Sequence, residues 1–138
     1  MDLKSVPKKV IVIGAGVIGL ELGTVWRRLG SEVEVIEFLP RVLNGMDSEV
    51  SEKFHKILLQ QGLKFKLEHS VEKTSLIKDK VHVEIKDIKT TKTDILEADI
   101  VLVAVGRRPN TDNLGLEKIG VKVDTVSYTH LTLPTTYH

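Results

Sequence analysis

One stretch decides the fold: residues 10–19 read Val-Ile-Val-Ile-Gly-Ala-Gly-Val-Ile-Gly. The four β-branched residues in a row predict a short strand that is buried on both faces, as in a parallel sheet. The glycines that follow have the pattern G-x-G-x-x-G, and apolar residues recur at helical spacing from Val17 to Leu29. Gly30 is well placed to end that helix. A strand, a glycine loop and a helix in this order predict a βαβ unit with an anion site.

The next residues extend this unit. A second β-branched run, Val33 to Ile36, ends at Glu37, and the crossover between the two strands is expected to be right-handed. Asp47 is a good N-cap for a second helix, which Gly62 ends. Residues 63–67 then alternate apolar with basic side chains, as a half-exposed strand does. The predicted order is therefore βαβαβ.

Three short strand-like stretches follow and predict an antiparallel meander in place of a helix; they are residues 71–77, 81–85 and 93–96. Residues 100–105 form a second fully apolar run that suits the interior of the sheet and stops at Gly106. We therefore predict an α/β fold. It has a Rossmann-type parallel sheet with a βαβαβ unit and an antiparallel β-meander crossover.

Composition excludes several classes of function. The 138 residues suffice for one domain, and 20 Lys and Arg against 19 Asp and Glu leave no basic field for nucleic acid. Without any cysteine the chain forms no disulfide and has no thiol chemistry of its own. Apolar runs are too short for a membrane span. His55, His69 and His82 lack metal-ligand spacing and are expected to be solvated, so no metal site is predicted.

The end of the chain differs in composition from the rest. Residues 125–138 hold five threonines and no charged residue, and they are expected to be non-native or disordered sequence. An edge strand is the alternative interpretation. The predicted domain therefore comprises residues 1–124.

Each element of the glycine motif has a physical task. Gly14 allows a sharp turn, Gly16 leaves room for a pyrophosphate against the backbone, and Gly19 lets the helix pack closely on the strand. Glu37 lies roughly 20 residues further on. A carboxylate at this position accepts hydrogen bonds from the ribose hydroxyls and repels a 2′-phosphate. NAD is therefore expected rather than NADP, although Arg41 nearby could accommodate a 2′-phosphate.

Three stretches together resemble the dihydrolipoamide dehydrogenases, a family of flavoprotein disulfide reductases. They are residues 14–23, residues 35–38 and the run Val-Gly-Arg-Arg-Pro-Asn-Thr at residues 105–111. The resemblance runs from about Leu3 to Asp124 and covers the central NAD-binding domain of that family. The stretch around Gly106 is shared with related reductases, whereas Glu21, Glu37 and the long glycine-loop match indicate the NAD-linked branch.

The resemblance also implies roles for single residues. The loop holds the pyrophosphate and approaches the nicotinamide ribose, and its residues are Gly14, Gly16, Val17, Ile18 and Gly19. Glu37, followed by Phe38, holds the adenosine ribose, and Val71 covers the adenine. Gly106 contacts the nicotinamide end, and Glu21 lies near the nicotinamide and pairs with a lysine of an FAD domain.

In the family, dihydrolipoamide reduces a disulfide, electrons pass to FAD, and hydride leaves to NAD+. The redox cysteines, the FAD loop and the histidine base lie outside the matched region, so no catalytic residue is expected in this chain, which is expected to be inactive alone. The implied partners are a second copy of the parent protein and the lipoyl-bearing subunits of 2-oxoacid dehydrogenase and glycine-cleavage complexes. The implied location is the mitochondrial matrix, or the cytoplasm of a bacterium.

Two alternatives remain open at the level of sequence. Another NAD-linked reductase of the same superfamily, such as an NADH oxidase or mercuric reductase, would share these motifs. A non-catalytic Rossmann module with a vestigial site is the alternative from a different class of function, and the intact glycine loop with Glu37 argues against it.

Overall fold

The computed structural model describes residues 3–108 and 110–121, and the chain divides into two compact units, residues 1–105 and 106–138. The first unit holds seven strands and two helices. In chain order they are β1 (Lys9–Ile13), α1 (Val17–Arg28), β2 (Glu32–Glu37), α2 (Ser48–Gln60), β3 (Lys64–Leu67), β4 (His69–Ile77), β5 (Lys80–Asp87), β6 (Thr93–Ala98) and β7 (Ile100–Val103).

Two sheets form the first unit. A parallel sheet has the strand order β3-β2-β1-β7, and an antiparallel sheet has the order β4-β5-β6. In the parallel sheet Val12 of β1 pairs with Val35 on one side and with Leu102 on the other. The α/β prediction is confirmed, with the meander in the predicted place between β3 and β7.

Strand β1 separates two hydrophobic clusters. Val10 and Val12 lie in a cluster with Leu20 of α1 and Leu58 of α2, so this face of the parallel sheet is covered by the helices. Ile11 points the other way, into a cluster whose remaining buried members are Ile36, Val83, Ile85 and Ala98. Each fully buried side chain of this kind stabilises the fold by about 1.5–3 kcal/mol. The prediction that β1 is buried on both faces is confirmed.

The helix ends agree with the sequence signals. Gly30, just after α1, has a φ of 103°, a left-handed conformation that glycine adopts without strain. Asp47 caps α2, because its carboxylate accepts hydrogen bonds from the backbone N–H groups of Glu49 at 2.9 Å and Val50 at 3.2 Å. At the other end of α2, the Arg27 guanidinium donates to the Gln61 carbonyl at 3.0 Å.

Strand β7 differs from the prediction. Residues 100–105 were predicted to lie in the sheet interior, but β7 ends at Val103, which is 65% exposed. Among the described residues β7 pairs with β1 alone, so it is an edge strand of the sheet. Apolarity predicts a strand but cannot tell which strand lies beside it. That is why the run was misassigned to the sheet interior.

Asp99 joins the two sheets at the corner between β6 and β7. Its carboxylate accepts a hydrogen bond from the Lys9 backbone N–H at 2.8 Å and pairs with the Lys80 ammonium at the start of β5. These two hydrogen bonds lower the pKa of Asp99 below its usual value, and the bond from Lys80 has the larger effect. One carboxylate thus links strands of both sheets.

In the second unit, residues 116–119 form a 3-10 helix, and the Val121 N–H donates to the Leu116 carbonyl at 3.0 Å. The predicted boundary at residue 124 and the predicted tail at residues 125–138 lie outside the described residues. None of the helices in residues 3–108 and 110–121 is long and apolar enough to cross a membrane.

Candidate functional site

Two glycines of the motif, one in the loop between β1 and α1 and one in the first turn of α1, lie against protein backbone. A Cβ on Gly14 would lie 2.6 Å from the Ala104 carbonyl oxygen, and the residue has a φ of +102°. A Cβ on Gly19 would overlap the Gly14 carbonyl oxygen. The Gly14 N–H also donates to the Ile36 carbonyl at 2.8 Å, which ties the turn to the end of β2. Both glycines are therefore required by the fold itself.

Gly16 is different. A Cβ at this position would meet nothing within 4 Å, and the backbone has a φ of −77° and a ψ of 178°, which any residue adopts. Neither packing nor backbone conformation therefore requires glycine here. The space in front of Gly16 opens to solvent at the start of α1. A ligand that approaches the backbone closely would account for the missing side chain.

The N-terminus of α1 carries no side-chain cap and no acidic residue in its first turn. By contrast α2 has both, namely the Asp47 cap and Glu49 in its first turn. The first N–H groups of a helix lack intrahelical acceptors, and together with the helix dipole they favour an anion by about 0.3–2 kcal/mol. The first turn of α1 therefore offers N–H groups and positive potential to an anion at the Gly16 opening.

The Glu37 carboxylate lies at the end of β2 against this loop. One oxygen accepts a hydrogen bond from the Ala15 N–H at 2.6 Å, and the other accepts from the Leu39 N–H at 2.9 Å. An ionised carboxylate has about four lone-pair positions, so two remain for further donors such as sugar hydroxyls. The structure thus brings Glu37 and the glycine loop together.

The other predicted site residues occupy varied surroundings. Val17, Ile18 and Phe38 are about half or more exposed, at 53%, 49% and 61%, and Glu21 is exposed on α1. Val71 of β4 is partly buried and packs against the cluster that contains Ile36, next to Glu37. Gly106 belongs to the second unit and has a φ of +124°, so its place at the nicotinamide end remains a prediction.

Comparison with known proteins identifies the family. A model of the family described as pyridine nucleotide-disulphide oxidoreductase matches residues 1–130. The chain belongs to the pyridine nucleotide-disulphide oxidoreductases. The resemblance found in the sequence to flavoprotein disulfide reductases is thereby confirmed.

Individual members of this oxidoreductase family are similar over most of the chain. The mitochondrial dihydrolipoyl dehydrogenase of Dictyostelium discoideum is 56% identical over 128 residues, which are 90% of this chain and 26% of that protein. The human mitochondrial dihydrolipoyl dehydrogenase is 48% identical over 126 residues, with 90% and 25% covered. The chain therefore spans about a quarter of the length of these relatives.

Solved structures show the same fold. The HOCl-induced flavoprotein disulfide reductase RclA from Escherichia coli superposes with a TM-score of 0.77 at 29% identity, covering 89% of this chain and 27% of that one. A ferredoxin reductase from Rhodopseudomonas palustris superposes with a TM-score of 0.68 at 35% identity, covering 77% and 26%.

Arg41, which complicated the prediction of the nucleotide, is engaged within its own loop. Its guanidinium donates to the Asn44 carbonyl at 3.1 Å and to the Asn44 side-chain oxygen at 3.4 Å. The same loop supplies a contact that the sequence did not predict, because the Leu43 N–H donates to the Ala15 carbonyl at 2.9 Å. A backbone contact between residues 28 positions apart has no side-chain signature, so no sequence signal could have revealed it.

The prediction that His55 is solvated is wrong, because the residue is partly buried. Its Nε2 atom is buried without a hydrogen-bond partner among the described residues, and its ring packs edge-on against Phe65 with centroids 4.5 Å apart. Burial lowers the pKa of His55 below its usual value. His69 is also engaged, since its Nδ1 lies 2.7 Å from the Leu67 carbonyl oxygen. The absence of metal-ligand spacing carried no information about burial.

Proposed function

We propose that this chain binds NAD(H) at the glycine loop and Glu37, as the NAD-binding domain of a dihydrolipoyl dehydrogenase. The observation that carries the proposal is Gly16, which the fold does not require to be glycine and which lies at the uncapped start of α1. A pyrophosphate against the backbone supplies the missing reason. The similarity to dihydrolipoyl dehydrogenases supports the identity of the nucleotide.

The residues of the chain fit the parts of the dinucleotide. N–H groups in the first turn of α1 would hold the pyrophosphate, with Val17 and Ile18 lining the approach to the nicotinamide ribose. Glu37 would accept the adenosine ribose hydroxyls, with Phe38 and Val71 at the adenine end. Glu21 would lie near the nicotinamide end. When bound, NAD+ supplies the acceptor of a hydride.

Glu37 favours NAD over NADP in this proposal. Its carboxylate would repel a 2′-phosphate on the ribose that it holds, and a hydrogen bond to a charged group contributes about 1.5–3 kcal/mol. Arg41, the residue that could offset this repulsion, already donates two hydrogen bonds to Asn44. These hydrogen bonds hold the guanidinium within its own loop, away from the ribose that Glu37 would bind.

The parent activity is a proposal at a further step. The full-length protein would oxidise protein-bound dihydrolipoamide through a disulfide and FAD and pass hydride to NAD+. Because these 138 residues contain no cysteine, the disulfide would have to come from outside them. The FAD site is likewise proposed to lie outside them, and the chain alone is proposed to be inactive. The proposed partners are a second copy of the parent and lipoyl-bearing subunits of 2-oxoacid dehydrogenase and glycine-cleavage complexes. The proposed location is the mitochondrial matrix, from the names of the relatives.

Calorimetric titration with NADH and NADPH tests the binding proposal, using the unsubstituted 138-residue chain and its Gly16→Val variant. The unsubstituted chain should bind NADH more tightly than NADPH. Gly16→Val should lose NADH binding by tenfold or more while its urea midpoint falls only slightly, because the new Cβ meets no protein atom within 4 Å and only the N-cap preference for glycine is lost. Gly45→Val is the matched control, since Gly45 also has open space at its Cβ and no positive φ.

The outcomes separate the alternatives. NADH binding that survives Gly16→Val would contradict the placement of the pyrophosphate. If the unsubstituted 138-residue chain binds neither nucleotide, the interpretation as a non-catalytic Rossmann module with a vestigial site would be favoured. The parent activity is tested separately, by assaying the full-length protein for reduction of NAD+ by dihydrolipoamide; activity with another disulfide substrate alone would favour a different reductase of the superfamily.

A further inference from the structure

The Ala15 peptide units are held on both sides. The Ala15 N–H donates to the Glu37 carboxylate at 2.6 Å, and its carbonyl accepts from the Leu43 N–H at 2.9 Å. Its side chain is 1% exposed and lies in the cluster that contains Val10, Val12, Leu20 and Leu58, here called the helix-side cluster. Ala15 therefore has no free polar group to offer a ligand. Its position is set by the end of β2 and by the loop that follows β2.

Glu37 extends this arrangement toward the antiparallel sheet. Its second oxygen accepts from the Leu39 N–H, and the Leu39 carbonyl accepts from the Glu68 N–H at 3.2 Å. The Glu68 carbonyl in turn accepts from the Ile88 N–H at 2.9 Å. A continuous series of hydrogen bonds thus runs from the glycine loop to the turn between β5 and β6. The Glu37 carboxylate is the side-chain member of that series.

We propose that Glu37 is also a positioning residue for the pyrophosphate loop, acting through the Ala15 N–H. This proposal rests on the proposed nucleotide site and deepens it, because a residue assigned to the ribose also sets the conformation of the phosphate-binding turn. Ala15 lies directly between Gly14 and Gly16, so a change in its peptide plane reorients the Gly16 backbone and the start of α1. Binding at the two ends of the adenosine diphosphate part is thereby coupled.

The positioning role and a role at the ribose alone predict opposite changes in pyrophosphate affinity when the charge of Glu37 is removed. A carboxylate close to a pyrophosphate repels it, so neutralising Glu37 would raise pyrophosphate affinity if the residue acted on the ribose alone. If Glu37 instead holds the loop in its binding conformation, neutralising it lowers pyrophosphate affinity, although the repulsion is removed. The side-chain amide of Glu37→Gln has the same shape but only one acceptor oxygen. Its NH2 group must therefore face the N–H of either Ala15 or Leu39, which places two donors against each other.

The experiment compares Glu37→Gln with Glu32→Gln in the 138-residue chain. Glu32 lies at the other end of β2 and forms an exposed ion pair with Lys64, so the control removes the same charge from the same strand. Inorganic pyrophosphate is titrated while the amide resonances of residues 16–19 are followed by NMR. We expect Glu37→Gln to weaken pyrophosphate binding at least threefold and Glu32→Gln to leave it within a factor of two. Unchanged or tighter binding in Glu37→Gln would overturn the proposal.

Hydrogen exchange of the Ala15 amide provides a readout that needs no ligand. Glu37→Gln should accelerate this exchange at least tenfold relative to the parent, while the amides of Val10 and Val12 in β1 keep their protection. Ala15 exchange that is unchanged in the variant would overturn the proposal even if the parent binds pyrophosphate. A 138-residue chain that binds no NADH would instead contradict the proposed function, and where pyrophosphate alone does not bind, the positioning role is decided by exchange.

Discussion

At the scale of single residues, the three glycines of the G-x-G-x-x-G motif have different physical reasons for being glycine. Gly14 and Gly19 are required because protein backbone occupies the space of their side chains, whereas Gly16 is free of such contacts. The pattern G-x-G-x-x-G predicted all three positions, and the predicted tasks of Gly14 and Gly19 agree with their contacts. The second role of Glu37 was not predictable, since its partner Ala15 is distant in sequence and donates from the backbone.

Two glycines within α1 should respond to alanine in opposite directions. A Cβ on Gly23 would make ordinary contacts of 3.6–3.8 Å with Val12, Val33 and Leu63, so Gly23→Ala should stabilise the fold by about 0.5–1 kcal/mol through helix propensity. Gly19→Ala should destabilise it by about 1–3 kcal/mol, because the added methyl overlaps the Gly14 carbonyl. Urea unfolding of both variants measures this; changes of the same sign would contradict the predicted packing.

His55 should make stability depend on pH below neutrality. Because burial lowers its pKa in the folded state, the unfolded chain takes up a proton first as the pH falls through about 6.5. Its contribution to stability is therefore complete above that pH, and is lost below it until the folded-state pKa is reached. His55→Phe retains an aromatic ring next to Phe65. This variant should reduce the change in urea midpoint between pH 7 and pH 5. Equal slopes in parent and variant would exclude His55 as the cause.

At the scale of secondary-structure elements, local signals were sufficient where the cause is local. Asp47 was predicted as an N-cap, and its carboxylate makes the expected hydrogen bonds to the first turn of α2. Gly30 was predicted to follow α1 and has the left-handed φ that this position favours. The place of β7 depends instead on which strands lie beside it, so its apolar sequence suggested the interior and the structure gives an edge.

The corner formed by Asp99 should contribute to stability. Asp99→Ala leaves the Lys9 N–H without its acceptor, which should cost about 1–3 kcal/mol at pH 7. Asp94→Ala is the control, because Asp94 is an exposed member of an ion pair with Lys66 and should cost less than about 1 kcal/mol.

The Asp99 contribution should also disappear in acid. Since its folded-state pKa is lowered, the stabilisation is present above about pH 3.8 and is lost as the pH falls through the folded-state value. The difference in urea midpoint between the parent and Asp99→Ala should therefore narrow below pH 3.8. A difference that is constant with pH would show that the Asp99 charge is not responsible.

At the scale of the whole molecule, much of the exposed surface is apolar. Val25 of α1 and Leu29 just after it are 47% and 55% exposed, and Val103 at the end of β7 and Val105 beyond it are 65% and 71% exposed. In the proposed parent, such surface would pack against other parts of the protein. Composition alone could not predict this, because 41% hydrophobic residues is ordinary and only the fold shows which of them reach the surface.

We expect the chain to self-associate at high concentration through this surface. Val103→Lys should reduce association, because a charged side chain at an exposed sheet edge opposes edge pairing. Ile95→Lys on β6, an edge strand of the other sheet with a similar exposure of 63%, shows whether that edge contributes to association as well. Light scattering measures the effect. A monodisperse monomer of the parent at high concentration would contradict the expectation.

The alternation of side chains along β1 has a consequence for insertions and deletions. Val10 and Val12 serve the helix-side cluster and Ile11 serves the other, so one residue added or lost within the strand would exchange the two sets of side chains. The same change would shift Gly14 away from the Ala104 carbonyl, where no other residue fits. The strand that carries the glycine loop must therefore keep its length.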